Sequence, residues 1–226
     1  MIELKNLSKS YGNHDVLRDI NLQFERGRVY GIVGENGAGK TTLFKCIAGL
    51  ESCMGTIKSA FNPLKNYLGF LQTDPYFFPK ITGWEYLRLF CVARDKTEVN
   101  IQEKNIFDLP LDQYAATYST GMKKKLALTA ILLQDNSVFI LDEPFNGVDI
   151  HSNMLITEII RELRALDKIV LLSSHIFSTL SDTCDEIHLL KNGAFVKKAS
   201  KAEFDQLDRE MKDFTVGDRV KKLNLK

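Results

Sequence analysis

One short glycine-rich stretch restricts the possible folds of this chain more than any other feature. Residues 34–41 read Gly-Glu-Asn-Gly-Ala-Gly-Lys-Thr, which matches the pattern G-x-x-x-x-G-K-[ST] at every fixed position. The run Arg28–Val33 predicts a strand before the stretch, and the apolar-rich run Thr41–Leu50 predicts a helix after it. A strand, a glycine-rich loop and a helix in this order are typical of a phosphate-binding loop. The sequence therefore predicts an α/β fold that binds a nucleoside triphosphate.

The residue types at the fixed positions of this loop each suit the binding of phosphate or its metal ion. Glycines let the backbone curl until successive N–H groups point at phosphate oxygens, and the helix N-terminus adds its positive end. Lys40 offers a cation to the β- and γ-phosphates, and Thr41 offers a hydroxyl to Mg²⁺. The loop alone does not separate a kinase, a GTPase and an ATPase. The candidate nucleotide-binding residues of the loop are Gly34, Asn36, Gly37, Ala38, Gly39, Lys40, Thr41 and Thr42.

Two adjacent carboxylates follow a second buried strand. The apolar run Ser137–Leu141 is typical of a central strand in a parallel sheet, and Asp142 and Glu143 come directly after it. Parallel α/β sheets bind ligands at the carboxyl ends of their strands, so we expect both acids to face the nucleotide. Asp142 is the expected Mg²⁺ ligand, and Glu143 is expected to orient and deprotonate water. A solvated strand end is the alternative for this pair taken alone.

The length and composition fit one domain. The chain has 226 residues, of which 44% are hydrophobic and 26% are charged, as in an ordinary globular protein. We expect a single domain over residues 1–226, with a nucleotide-binding α/β core in 1–73 and 120–200. The proline- and aromatic-rich character of residues 74–119 favours a small helical insertion that carries the signature motif described below. Residues 200–226 are expected to form a C-terminal helix and a basic tail.

Local patterns predict the other elements. Strands are indicated by alternation over residues 2–7 and 20–24, and by the buried run Lys168–Ser173. Asn192 and Gly193 indicate a hairpin, and Ser200 with Glu203 forms a capping box before a last helix. Two further helices are predicted over Lys125–Leu133 and Met154–Leu166.

Charge and cysteine content exclude several classes of function. The net charge of +1 provides no overall field that would attract nucleic acid or acidic lipid, so we expect no nucleic-acid partner. The N-terminus does not resemble a signal peptide, and no apolar run is long enough to span a bilayer. The cysteines lack metal-binding spacing, so we expect reduced, buried thiols of a cytosolic protein. They are Cys46, Cys53, Cys91 and Cys184.

Further motifs surround the phosphate loop in a fixed order. They are Tyr11, then Gln72 in Phe-Leu-Gln, Ser119 and Gly121 in Tyr-Ser-Thr-Gly-Met, the run Asn-Gly-Val-Asp at 146–149, and His175 in Ser-Ser-His. Together with the Asp-Glu pair, this series resembles the ATP-binding subunits of ABC transporters over about residues 11–193. Each of these residues taken alone would be ordinary core or surface. The two departures from the family signature are Thr120, in place of its first glycine, and Met122, in place of its glutamine.

The resemblance implies a P-loop NTPase core with a mixed central sheet, an N-terminal antiparallel β portion and a small inserted α-helical subdomain. It implies that Tyr11 stacks on adenine and that Gln72 contacts Mg²⁺ or the attacking water. Ser119 and Gly121 would contact the γ-phosphate of ATP held by a second subunit, while His175 would set the γ-phosphate geometry. The implied ligands are ATP and Mg²⁺. The implied partners are a second copy, or a paired ABC subunit, and a transmembrane permease on the cytoplasmic face of the membrane.

Two alternatives stay open at this point. One is an ABC ATPase that acts on another macromolecular assembly in place of a permease. The other is a P-loop kinase or GTPase, which the absence of a guanine-specifying N-K-x-D disfavours. The signature form favours an exporter-type subunit, and the substitution at Thr120 leaves open whether both composite sites of a dimer hydrolyse ATP. The aromatic run Pro75–Phe90 is interpreted as the core of the insertion or as an exposed surface for the permease.

Overall fold

The structure is a computed structural model that describes residues 1–215. The strands are β1 (Ile2–Tyr11), β2 (His14–Phe24), β3 (Arg28–Val33), β4 (Met54–Ser59), β5 (Leu68–Leu71), β6 (Val138–Asp142), β7 (Ile169–Ser174), β8 (Glu186–Lys191) and β9 (Ala194–Ser200). The helices are α1 (Lys40–Ile47), α2 (Gly83–Val92), α3 (Thr120–Leu132), α4 (Ile150–Ala165), α5 (Phe177–Ser181) and α6 (Phe204–Thr215). One-turn 3-10 helices lie at Leu64–Asn66, Ala115–Thr117 and Lys201–Glu203.

A mixed central sheet positions the site. Its strand order is β5-β6-β7-β3-β8-β9, and every neighbouring pair is parallel except β8 and β9. The central strands β6 and β7 are buried throughout, as the continuous apolar runs predict. Val33 pairs with Ser174 and Asp142 pairs with Ser173, so the carboxyl ends of β3, β6 and β7 lie side by side. The predicted mixed sheet is confirmed, and one edge of it collects the polar residues that follow these strands.

A second, antiparallel sheet has the strand order β2-β1-β4. Its apolar side chains pack with those of α1 against one face of the central sheet, which β3 presents through Tyr30 and Ile32. The other face, which β3 presents through Val29 and Val33, packs against α3 and α4. The helix that follows the phosphate-binding loop is therefore held between two sheets. The expected N-terminal antiparallel portion is confirmed.

Residues 74–119 contain one α-helix, α2, which includes the residues whose spacing predicts a helical insertion. Beyond α2 and one 3-10 turn, the segment consists of turns and irregular backbone, with an isolated β-bridge between Thr82 and Tyr114. Thr82 precedes α2 and forms a capping box with Glu85. The Thr82 hydroxyl accepts from the backbone N–H of Glu85, and the Glu85 carboxylate accepts from the backbone N–H of Thr82. Helix α3 begins at Thr120, well before the predicted Lys125, because Ser119 caps it. A capping serine was a stronger start signal than the first apolar residue.

The C-terminal hairpin and cap agree with the sequence. Asn192 and Gly193 have φ angles of 48° and 77°, as the predicted two-residue turn requires. The Ser200–Glu203 capping box precedes α6, while the basic tail predicted beyond it lies outside the described residues. One cysteine prediction is wrong, because Cys53, which directly precedes β4, is only partly buried, although all four thiols are free. Within residues 1–215 no helix is long and apolar enough to cross a membrane.

Candidate nucleotide-binding and hydrolysis site

The glycine-rich loop curls around the side chain of its own lysine. The Nζ atom of Lys40 donates to the carbonyl oxygen of Gly34 at 2.7 Å. Gly37 and Gly39 have φ angles of 84° and 110°, which favour glycine. A Cβ at Gly39 would also lie 2.9 Å from the side chain of Leu17, so the loop packs tightly on β2. Because α1 begins at Lys40, its first N–H groups lack helical partners and are available to an anion.

A cavity of about 350 Å³ opens beside the loop. Its lining residues are Val16, Asn36, Gly37, Gly39, Lys40, Thr41, Thr42, Thr73 and Glu143. Gly34 and Ala38, which were also predicted to bind the nucleotide, line a separate cavity of about 460 Å³ against β8 and α6. The loop therefore separates two cavities, and Lys40, Thr41 and Thr42 line only the one that Glu143 also lines.

Asp142 lies at the end of β6 and is fully buried. Its Oδ2 atom accepts hydrogen bonds from the hydroxyls of Thr41 at 2.6 Å and Thr73 at 2.8 Å, while Oδ1 accepts from Ser173 at 2.5 Å. A carboxylate beside a loop hydroxyl is the hard-oxygen donor set that suits Mg²⁺. The donors predicted at Thr41 and Asp142 are thus brought together, and their chemistry fits the ion that the resemblance implies.

Glu143 connects the loop lysine to the predicted histidine. Its Oε2 atom lies 2.9 Å from Nδ1 of His175, and its Oε1 atom lies 3.7 Å from Nζ of Lys40. The backbone N–H of Glu143 donates to Oγ of Ser173 at 2.9 Å. Glu143 has a φ of 51°, a left-handed conformation that costs a non-glycine residue on the order of 1 kcal/mol. Neighbouring contacts therefore hold this carboxylate at the cavity wall in a strained backbone conformation.

Other predicted residues lie away from this cluster. Tyr11 is 45% exposed, and its ring packs beside Nζ of Lys9 at 4.7 Å. Gln72 is exposed, and it is the next residue, Thr73, that bonds Asp142. Ser119 is exposed at the start of α3. None of these three lines the phosphate-side cavity.

Gly121 serves a packing role within the chain. A Cβ at this position would lie 2.6 Å from the carbonyl oxygen of Gly147, so a side chain here would separate α3 from the loop before α4. The substituted residue Thr120 also faces this loop, because its methyl group lies 3.5 Å from where a Cβ at Gly147 would be. The β-branched side chain is accommodated against the chain's own backbone.

Comparison with known proteins decides the family. The profile of the ABC transporter family matches residues 17–146. The bacitracin transport ATP-binding protein BcrA of Enterococcus faecalis is 31% identical to this chain, over 96% of it and 75% of BcrA. The chain belongs to the ABC transporter ATP-binding family. This ABC ATPase is therefore an ATP-binding, ATP-hydrolysing subunit of a transporter, and the kinase and GTPase alternatives are excluded.

Solved structures agree with this assignment. An ATP-binding subunit of an ABC transporter is 29% identical to this ABC ATPase, covers 93% of both chains and has a TM-score of 0.78. The ATP-binding cassette MJ0796, solved as a dimer in a post-hydrolysis state with ADP and Pi, shares the fold at 19% identity. Its TM-score is 0.81, over 89% of this chain and 99% of MJ0796.

Sequence reasoning missed four residues around the site of this ABC ATPase. Thr73 and Ser173 share Asp142, Val16 lines the cavity, and Lys124 is buried under the turn after Glu143. Ser173 could have been found, because it ends a predicted strand in the same way that Asp142 does. Lys124 could not, since it stands in the basic run 123–125, which is typical of a solvated helix face.

Proposed function

We propose that this ABC ATPase hydrolyses ATP at composite sites formed between two chains. The proposal rests on the observation that the candidate site residues of one chain lie in two separate places. Lys40 and Glu143 line one cavity, and Asp142 and His175 hydrogen-bond to residues of its lining. Ser119 is exposed at the start of α3 and neither lines that cavity nor bonds to its lining. A second chain whose α3 faces this cavity would complete the site.

In the proposed site the phosphate loop binds the β- and γ-phosphates through its backbone N–H groups and Nζ of Lys40. Mg²⁺, held by Thr41 and Asp142, would neutralise charge on the phosphate oxygens. Ser119 and Gly121 of the second chain would approach the γ-phosphate from the N-terminus of α3, where unpaired N–H groups stabilise an anion. Tyr11 would stack on the adenine, which its exposure at the end of β1 permits.

Hydrolysis would proceed by attack of water on the γ-phosphorus. Glu143 accepts the proton of the water as the new P–O bond forms and the bond to the bridging oxygen of ADP breaks. His175, 2.9 Å from the Glu143 carboxylate, orients that carboxylate and the γ-phosphate. Gln72 immediately precedes Thr73, which bonds Asp142, and would contact Mg²⁺ or the attacking water.

We further propose that the dimer acts on a separately encoded permease at the cytoplasmic face of the membrane. The name of the relative BcrA, a transport protein, supports this assignment. The residues that would contact the permease are the exposed aromatics that follow Gln72. They are Tyr76, Phe78 and Trp84.

Blocking the chemistry tests the composite site. Glu143→Gln keeps the size of the side chain but removes the base, so turnover should fall on the order of 10²–10⁴-fold. With hydrolysis blocked, the variant should sediment as a dimer in Mg-ATP and as a monomer in ADP. Adding Ser119→Arg should abolish the dimer, because a bulky cation would replace the hydroxyl at the interface.

A matched variant controls for the added charge. Ser52 is an exposed serine in the loop before β4, and Glu143→Gln with Ser52→Arg should still dimerise. A Glu143→Gln protein that stays monomeric at high concentration in saturating Mg-ATP would contradict the composite site. So would equal dimerisation with arginine at position 119 and at position 52.

A further inference from the structure

Helix α3 carries a buried lysine that no part of the mechanism above uses. Lys124 is 2% exposed, and its Nζ atom donates to the carbonyl oxygens of Glu143 at 2.7 Å and Asn146 at 3.0 Å. Lysine is almost never fully buried without partners, because removing an ammonium group from water is costly. Two carbonyl oxygens, both in the turn that follows β6, offset that cost here.

The turn that Lys124 contacts is the one that carries the proposed general base. The backbone N–H of Asn146 donates to the carbonyl oxygen of Glu143 at 3.2 Å, which closes the turn. Lys124 bonds both ends of it, and Ser173 bonds the N–H of Glu143 from the other side. The left-handed backbone of Glu143 is thus held between α3 and β7.

Two more contacts join the first turns of α3 to the same segment. Gly121 packs against the carbonyl oxygen of Gly147, and Nζ of Lys125 lies 3.3 Å from a carboxylate oxygen of Asp149. Lys124 lies between these contacts along the helix. The start of α3 and the turn after β6 therefore pack as one unit.

We infer that Lys124 is a positioning residue for ATP hydrolysis, which fixes the backbone of Glu143 and ties it to the helix that Ser119 caps. The inference rests on the proposed function, because it takes Glu143 as the base and Ser119 as the contact to the partner's nucleotide. A shift of α3 on the partner's ATP would reach Glu143 in the same chain through the Lys124 ammonium. One buried side chain would then connect the two composite sites.

Burial and the nearby carboxylates act on the pKa of this lysine in opposite directions, and burial has the larger effect. Burial lowers the pKa of Lys124, whereas the nearby carboxylates of Glu143, Asp74 and Asp142 raise it. A neutral side chain at this position lacks that attraction, and an apolar one also leaves two carbonyl oxygens without a donor. Two substitutions therefore separate the hydrogen bonds from the charge: Lys124→Gln keeps N–H donors, and Lys124→Met keeps only the length and the apolar stem.

Steady-state kinetics and ATP titration make the first test. Lys124→Met should lower kcat on the order of 10²-fold, the cost of misplacing a catalytic group by about 1 Å, while ATP affinity stays within about twofold of the parent. Lys124→Gln should recover part of the lost kcat, because an amide can still donate to the turn. Thr129→Val is the matched control, since it removes a buried hydrogen bond to Lys125 O farther along α3, and it should keep the parent kcat.

The decisive test combines each Lys124 variant with Glu143→Gln. If Lys124 acts through Glu143, the double variants should hydrolyse ATP no more slowly than Glu143→Gln alone. Losses that multiply in the double variants would overturn the role of Lys124, as would a Thr129→Val defect as large as that of Lys124→Met. If Lys124→Met does not fold, Lys124→Gln decides the question alone. Glu143→Gln turnover at the parent rate would instead overturn the proposed function.

Discussion

Two groups of candidate site residues differ in burial: those on the phosphate side, next to the glycine-rich loop, and those proposed to contact adenine or a second chain. Asp142, Glu143 and Lys40 are 0%, 8% and 7% exposed, and each is held by hydrogen bonds within the chain. Tyr11 is 45% exposed, and Gln72 and Ser119 are exposed as well. The folded chain alone preorganises the groups that we propose bind phosphate and move a proton. The groups proposed to contact adenine and the partner's phosphate are exposed, and only a ligand or a second chain would cover them.

This difference has a physical basis. Charged groups taken out of water must be hydrogen-bonded at once, so the carboxylates and Lys40 are fixed as the chain folds. Preorganised charges also need no rearrangement during the reaction, which is where electrostatic stabilisation contributes most. An exposed tyrosine or serine has no such requirement, because water satisfies it until a partner replaces the water. Substitutions on the two sides should therefore differ in the size and kind of their effects.

The largest effect is expected on the phosphate side. Lys40→Ala removes the cation around which the loop is folded, and turnover should fall on the order of 10²–10³-fold, as for the loss of one preorganised donor. Lys45→Ala, in the last turn of the same helix, should keep the parent rate. If Lys40→Ala hydrolysed ATP at the parent rate, Lys40 would not be needed for turnover. The proposed difference between the buried and the exposed residues would then be wrong.

An intermediate effect is expected at the adenine end. Tyr11→Ala should weaken ATP binding by about 1–3 kcal/mol, the range for stacking of a base on an aromatic ring, and Tyr11→Trp should largely preserve it. Titration of nucleotide affinity measures both. Tyr67→Ala is a suitable control, because Tyr67 is 42% exposed and lies at the amino end of the sheet beside Phe61. Equal affinities for the Tyr11→Ala and Tyr67→Ala proteins would mean that Tyr11 is ordinary surface.

The smallest effect on ATP binding is expected in the inserted segment. Trp84 is 47% exposed, so Trp84→Ala should change ATP affinity by less than about 0.5 kcal/mol while weakening co-purification with a membrane partner. Phe77, which is 9% exposed and packs on Tyr86 at 4.6 Å, gives the contrast. Phe77→Ala should lower the free energy of unfolding by roughly 3 kcal/mol, measured by denaturant titration. Unfolding of Trp84→Ala would place Trp84 in the core.

The sequence predicted correctly the positions of those features that consist of residues adjacent in the chain. The phosphate loop, the Asp142–Glu143 pair and the Asn192–Gly193 turn were all predicted in place, since each depends on a backbone geometry that its own residues impose. The start of α3 was misplaced, because apolar spacing took precedence over the capping hydroxyl of Ser119. Periodicity reports which face is buried, but a cap reports where a helix begins.

The aromatic run shows where such reasoning ends. Phe77 and Phe78 are neighbours of the same chemistry, yet Phe77 is buried and Phe78 is 54% exposed. Outside a regular helix or strand no period assigns a side chain to a face. Only packing against α2, through Tyr86, makes one of them core.

The sequence by itself determined the nucleotide class, the P-loop fold and the two carboxylates, because short motifs specify local backbone geometry and the charges it carries. Only the tertiary structure decided which groups hold those carboxylates. Thr73 and Ser173 bond Asp142 across 69 and 31 residues of chain, and Lys124 bonds the turn after it across 19 and 22. Those partners depend on the order β5-β6-β7 and on how α3 packs. A buried polar group must be hydrogen-bonded, and the group that bonds it is the one that tertiary packing brings close. No local sequence pattern identifies that group.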